Sequence, residues 1–196
     1  MNFKRIFDIL ASLLFIALTS PIFITVPVII ILSGSKPIYK SKRLGIDGKE
    51  FDCFKFTSMR DISSLHETSQ KRLLNELHKN GHVKNDPRIT WFGKIIRKSS
   101  IDELPQFFNV ILGDMSLVGP RPISSYEIDK YGRSYSHYKK LKPGLTGIWQ
   151  VSGRDNVKYH RRVAMDRYYS QKSCISLDFI ILAKTPVTIM RMIGVN

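Results

Sequence analysis

Residues Arg97 to Pro122 read RKSSIDELPQFFNVILGDMSLVGPRP. Ser100 followed three residues later by Glu103 has the form of a capping box, and Pro105 is tolerated in a first turn, where its missing N–H has no helical partner. The pattern predicts a helix that begins near Ser100, continues through Gln106 to Leu112 and stops at Gly113. Two adjacent carboxylates, Asp102 and Glu103, then fall at the helix start, just after Arg97 and Lys98. The free N–H groups and positive dipole end of such a helix favour ionised carboxylates, which makes Asp102 a candidate oxygen nucleophile or metal ligand. Acidic residues in a first turn are most often simple dipole partners, so the pair alone does not establish chemistry.

The residues that follow add to it. In Pro120-Arg121-Pro122 two prolines fix φ on either side of one arginine and restrict where its guanidinium can go. An arginine held beside a carboxylate pair suits a phosphate with a bound divalent cation, since Arg binds phosphate bidentately. The run DELPQ…GDMS…GPRP resembles the signature of the bacterial sugar transferases, monotopic phosphoglycosyl transferases that start glycan assembly on a polyprenyl phosphate, and the likeness extends from Lys4-Arg5 to the last helix.

The resemblance implies a reaction and roles for these residues. A UDP-sugar, with Mg²⁺ across its diphosphate, is attacked by Asp102 at the sugar-bearing phosphorus; UMP leaves, and polyprenyl (undecaprenyl) phosphate takes the phosphosugar from the aspartyl intermediate. Glu103 would help hold the metal or assist proton handling, so that Asp102 and Glu103 form the implied metal site. Arg97, Pro120, Arg121, Pro122 and Arg154 would bind phosphate or nucleotide. A second block, Lys142 to Arg154, ends in Trp149-Gln150-Val151-Ser152-Gly153-Arg154, a form similar to the hexose-1-phosphate transferases of capsule and exopolysaccharide pathways. Its glycines at 144, 147 and 153 permit tight backbone near a ligand.

Composition agrees with this without pointing to it. At 196 residues the chain fits one domain, or one domain with a membrane anchor, and a net charge of +15 implies an anionic partner. Two cysteines, Cys53 and Cys174, suggest no disulfide framework and fit a reducing compartment. The histidines, His78 and His82 included, form no convincing metal pattern. A membrane-anchored nucleic-acid-binding protein would account for the charge, but no helix-turn-helix, zinc or aromatic–glycine RNA motif is legible, so nucleic acid is not expected as a partner. A scaffold for polysaccharide assembly is the other alternative; release of UMP would exclude it. Downstream glycosyltransferases are conceivable neighbours for the enzyme reading.

Ile9 to Leu32 carry no charge, and these 24 residues at about 1.5 Å each could cross a bilayer core of roughly 30 Å. Ser20-Pro21 interrupts the run near its middle and Pro27 interrupts the second half, so each half reaches only mid-bilayer. A bend is expected at Pro21, with the Ser20 hydroxyl satisfying a freed backbone group. Lys4 and Arg5 before the run, and Lys36, Lys40, Lys42 and Arg43 after it, place both ends on the cytoplasmic side by the positive-inside rule. A re-entrant hairpin satisfies that rule; a straight span remains the alternative, since proline is tolerated in spanning helices. The resemblance favours the hairpin and implies an enzyme on the cytoplasmic face of the inner membrane.

Elsewhere, Ile38–Gly45 and Lys49–Thr57 read as strands joined by a type I′ turn at Asp47-Gly48, although the alternation along Phe51 to Phe56 is imperfect. A solvated helix is expected from about Leu65 to Lys79 with Leu73, Leu74 and Leu77 as its apolar stripe, and a turn at Asn85 to Arg88. Trp91 reads as an interfacial or core aromatic. Leu177 to Ile193, broken by Asp178, Lys184, Pro186 and Arg191, reads as a helix lying at the interface. The expected fold class is mainly α with a small β-hairpin: a re-entrant membrane anchor over residues 1–35, then a compact catalytic domain with interfacial amphipathic helices over 36–196.

Overall fold

A computed structural model of the chain describes residues 3–80, 83 and 86–191. Expectations that fall on the side chains of Leu77 and His78, and on His82, Asn85 and Ile193, lie outside the described residues.

The protein is mainly helical, with the expected β-hairpin. Helices α1 (Phe3–Leu18) and α2 (Ser20–Leu32) meet at an angle of 63°. Among the described residues no single helix is long and apolar enough to cross a membrane; only this bent pair, taken together, has the length and composition. The break falls at the expected place because Pro21 sits in the first turn of α2. The Ser20 hydroxyl makes no hydrogen bond among the described residues; Thr19 Oγ1 donates to Phe15 O (2.6 Å), a carbonyl that also accepts from Thr19 N (2.9 Å) and is not the one freed by Pro21.

Strands β1 (Ile38–Leu44) and β2 (Glu50–Phe56) pair antiparallel, with Leu44 opposite Glu50. Asp47 and Gly48 both take positive φ (58° and 74°), and Lys49 N donates to Ile46 O, closing the two-residue turn that Asp-Gly favours. Helix α3 (Glu67–Asn80) buries Leu73 but leaves Leu74 exposed. Helix α4 (Trp91–Lys98) starts with Trp91 exposed, which removes the core reading of that residue.

The expected helix start at Ser100 is not found. Ser100 is instead the left-handed residue (φ 58°) just past the end of α4, a position more usual for glycine, and its side chain caps nothing. Ile101–Glu103 form a tight 3₁₀ turn, and helix α5 (Gln106–Leu112) begins only after Pro105 and ends at Gly113 (φ 102°). The Ser-x-x-Glu pattern misleads here because Glu103 turns away from the backbone toward cations described below.

The short strand β3 (Ser116–Val118) pairs in parallel with β4 (Gly144–Thr146), a pairing with no signal in the sequence. Between them lie the short helices α6 (Ile128–Tyr131) and α7 (Tyr135–Tyr138); α8 (Ile148–Val151), α9 (Tyr159–Lys172) and α10 (Ile175–Met190) follow. The core gathers Phe51, Cys53, Phe107, Val110, Met115 and Leu117 between the hairpin, α5 and β3.

The apolar N-terminal pair is laid onto this core by an aromatic seam. Phe7 meets Phe179 of α10, Phe15 stacks on Phe107 of α5 (5.4 Å between centroids), and Phe23 lies against Phe56 and Phe108. Its polar start is tied in as well. Arg5 donates to Val110 O (2.5 Å) and Ile111 O (2.9 Å) at the end of α5, where a cation also complements the helix dipole. Lys4 pairs with Asp178 (2.5 Å), and the buried Asp8 accepts from Ser116 Oγ (2.7 Å). Lys4 and Arg5, read from sequence as flanking charges, are therefore internal ties.

Candidate active site

Asp102 and Glu103 occupy the turn between α4 and α5, and the two adjacent carboxylates meet quite different surroundings. Glu103 Oε1 accepts from Lys55 Nζ of β2 (2.7 Å) and lies 3.6 Å from Arg121 Nη1. Burial alone would raise its pKa, but Lys55 and then Arg121 outweigh that and hold its carboxyl at about 2. Asp102 is 7% exposed and has no hydrogen bond or ion pair among the described residues. Burial, reinforced by the negative charge of Glu103, pushes it up to about 6 against the pull of Lys55, Arg97 and Arg121. The pair is thus a permanently ionised Glu103 locked to cations and a free, desolvated Asp102 that is still mostly ionised at pH 7. The sequence-based expectation of a dipole-stabilised carboxylate at Asp102 is corrected: no helix starts there, and burial dominates.

Arg121 is held by backbone packing. Gly119, Gly144 and Gly147 bring two backbone segments together so closely that a Cβ on Gly144 would lie 2.0 Å from Gly119 N, and one on Gly147 would lie 2.3 Å from Gly119 O. Gly144 N donates to Pro120 O (2.7 Å) and Gly119 N to Thr146 O (3.0 Å). Gly144 and Gly147 therefore make room for the Gly119-Pro120 backbone rather than for a ligand. The Arg121 guanidinium lies over Trp149 (5.7 Å to the ring centroid), which Arg162 also covers (4.6 Å).

Arg97, Asp102, Glu103, Arg121, Pro122 and Arg154 line one groove, so these residues of the predicted set converge. Pro120 acts through its carbonyl and does not line the groove; Ser20 and Pro21 belong to the helix break and do not line it either, although their neighbour Thr19 does. Arg97 reaches Met59 Sδ (3.2 Å). Arg154 donates through Nη2 to Ser100 Oγ (2.8 Å), while its Nη1 and both side-chain amide atoms of Gln150 are buried without a partner.

Lys55, Trp149 and Arg162 received no role from sequence. For Lys55 a signal was present. Phe51 and Cys53 set an inward parity along β2, and Lys55 takes the next inward position, which is where the alternation fails. The groove continues past Leu104, Phe107 and Leu145 to Phe15 of α1 and to Phe179 and Leu182 of α10, an apolar wall beside the charged end.

Among the described residues no group of three or more His, Cys, Asp and Glu side chains could hold a metal ion. The donor set fits a hard cation only if a ligand supplies most of the oxygens. Asp102 is the carboxylate free to coordinate, and Glu103 would join it through Oε2, since Lys55 and Arg121 both approach Oε1.

A family model described as bacterial sugar transferase matches residues 1–192. An undecaprenyl-phosphate galactose phosphotransferase of Salmonella typhimurium is 44% identical over 97% of this chain, which covers 41% of that protein. A UDP-galactose-lipid carrier transferase of Erwinia amylovora is 40% identical, again over 97% of this chain and 41% of the relative. The exopolysaccharide production protein ExoY of Sinorhizobium fredii is 39% identical over 93% of this chain and 83% of its own length. The chain thus spans about two fifths of the length of the first two relatives and most of the third.

Proposed function

The chain belongs to the bacterial sugar transferase family, and from that membership we propose that it transfers a hexose 1-phosphate from a UDP-hexose to undecaprenyl phosphate, releasing UMP. Two relatives are named for galactose transfer to such a carrier, so UDP-galactose is the first donor to try. A name that refers to exopolysaccharide production supports a place in capsule or exopolysaccharide assembly. In this reading residues 1–35 anchor the protein in one leaflet and residues 36–196 carry out the chemistry at the cytoplasmic surface of the inner membrane.

The observation that carries the proposal is the asymmetry of the two carboxylates: a free, buried Asp102 beside a Glu103 bound by Lys55 and Arg121. One oxygen of Asp102 attacks the sugar-bearing phosphorus, the bond to the bridging oxygen breaks, and UMP leaves with the electron pair. A phosphate oxygen of the acceptor then attacks the same phosphorus, and the bond to Asp102 breaks to restore the carboxylate. Lys55, Arg97, Arg121 and Arg154 face the diphosphate and offset its charge, and Glu103 holds Lys55 and Arg121 at that point. Asp102, with Glu103 through Oε2, would hold Mg²⁺ on the donor's diphosphate, where the cation would neutralise charge on the departing UMP. The apolar groove leads from this point to α1 and α10 and suits the acceptor's prenyl chain.

The test is UMP release from a panel of UDP-sugars by the full chain in detergent with Mg²⁺ and polyprenyl phosphate. Asp102→Asn keeps shape and removes the ionised oxygen, so it should lower turnover by at least about a thousandfold with the fold retained. Substantial UMP release by that variant would sink the covalent role. Turnover should stop in excess EDTA and return with Mg²⁺. Double-reciprocal plots at several acceptor concentrations should run parallel; intersecting lines would mean direct attack by the acceptor, with Asp102 a ligand or base.

A further inference from the structure

Ser100 and Arg154 are both non-glycine residues in the left-handed region, with φ of 58° and 50°. Ser100 stands between the end of α4 and the turn that carries Asp102. Arg154 opens the turn after Gly153, 54 residues further along the chain. The side chains of these two residues meet, and backbone strain of this kind persists where surrounding structure enforces it, often at functional sites. Glycine would suit the backbone at Ser100 better. What serine supplies is the hydroxyl that accepts from Arg154 Nη2 at 2.8 Å.

The other end of that guanidinium is unsatisfied. Arg154 Nη1 is, among the described residues, the one buried guanidinium nitrogen left without an acceptor. The neighbouring cations are engaged: Lys55 and Arg121 with Glu103, Arg97 with Met59 Sδ, Arg162 with Trp149 and the carbonyls of Val157 and Asp155. A buried N–H without a partner is costly, and a phosphate oxygen arriving in the groove would satisfy it with a charge-assisted bond.

We infer that Ser100 is a positioning residue for donor binding: its hydroxyl fixes one nitrogen of Arg154 so that the other is presented to the donor's diphosphate. The inference rests on the nucleotide-sugar reading of the site. Ser100 also lines the groove, but in this inference its effect passes through Arg154.

The experiment measures UDP affinity, melting temperature and the separate KM and kcat for UDP-hexose on the full chain in detergent. Ser100→Gly removes the hydroxyl and relieves the backbone, so its melting temperature should hold or rise. Its UDP affinity should fall about tenfold, with KM rising in proportion and kcat little changed, the scale of one charge-assisted contact. Ser100→Asn, which tolerates the left-handed conformation and offers an amide oxygen, should recover most of that loss. In an Arg154→Met background, which leaves no donor for the hydroxyl, Ser100→Gly should have no further effect. Ser100→Gly binding UDP as tightly as the unmodified chain would overturn the inference alone, as would a lowered melting temperature with affinity intact. An unmodified chain that binds no UDP would overturn the nucleotide-sugar reading and this inference together.

Discussion

At the residue scale the site rests on how differently two neighbouring carboxylates are treated. Lys55 and Arg121 keep Glu103 charged far below neutral pH, whereas burial and the Glu103 charge keep Asp102 at about 6. If Asp102 must be ionised to attack, the acid limb of kcat/KM should fall at about pH 6, with activity lost about tenfold per unit below it. Glu103→Gln removes a negative charge whose presence disfavours ionisation of Asp102, so the limb should move to lower pH even as turnover drops. A pH–rate profile of the unmodified chain and this variant checks both; a limb that stays in place would mean that another group titrates. The adjacency of Asp102 and Glu103 was legible in the sequence, but their division of labour was not. It depends on Lys55 from β2, 48 residues away, and on Arg121, which local pattern cannot bring to the same point.

Among the elements, those with a local signal were readable. The Asp47-Gly48 turn, the Ser20-Pro21 break and the Gly113 stop each follow from residues adjacent in the chain. The parallel pair β3–β4 was not readable, because each strand has only three residues and their partners are distant. Glycines that looked like a ligand loop turn out to be the contact surface of that pair. Gly144→Ala would place a Cβ 2.0 Å from Gly119 N and 2.6 Å from Gly119 Cα, atoms that cannot move without displacing Pro120 and Arg121. The substitution should destabilise the fold by about 3 kcal/mol or more, beyond ordinary overpacking of side chains. Denaturant unfolding measures this directly, and a loss under 1 kcal/mol on the order of a surface change would show that β3 and β4 separate easily.

For the whole molecule, the question is how the charged site and the insoluble acceptor proposed for it would meet. Leu10, Leu14 and Leu18 of α1, Ile24 and Leu32 of α2, and Phe179 of α10 all lie exposed, although the opposite sides of these helices are packed on the core. So much exposed apolar surface on the elements next to the groove suits a bilayer better than water. The 63° bend matters for topology, because a helix pair bent this sharply can enter and leave one leaflet, and Lys4, Arg5 and Asp8 fasten its start to α5, β3 and α10. An α1 start bound to the catalytic part cannot lie across the membrane from it without breaking those contacts. Both ends of the pair should therefore face the same side, which in the proposed reading is the cytoplasm. In a Cys174→Ser background, where Cys53 is 2% exposed and silent, Asn2→Cys and Lys36→Cys can each be offered a membrane-impermeant thiol reagent. Both should be protected in intact cells and both should react once the membrane is opened. Reaction of Asn2→Cys alone in intact cells would mean a straight span, with the ties of Lys4, Arg5 and Asp8 broken and the depth of Asp102 set by something other than α1.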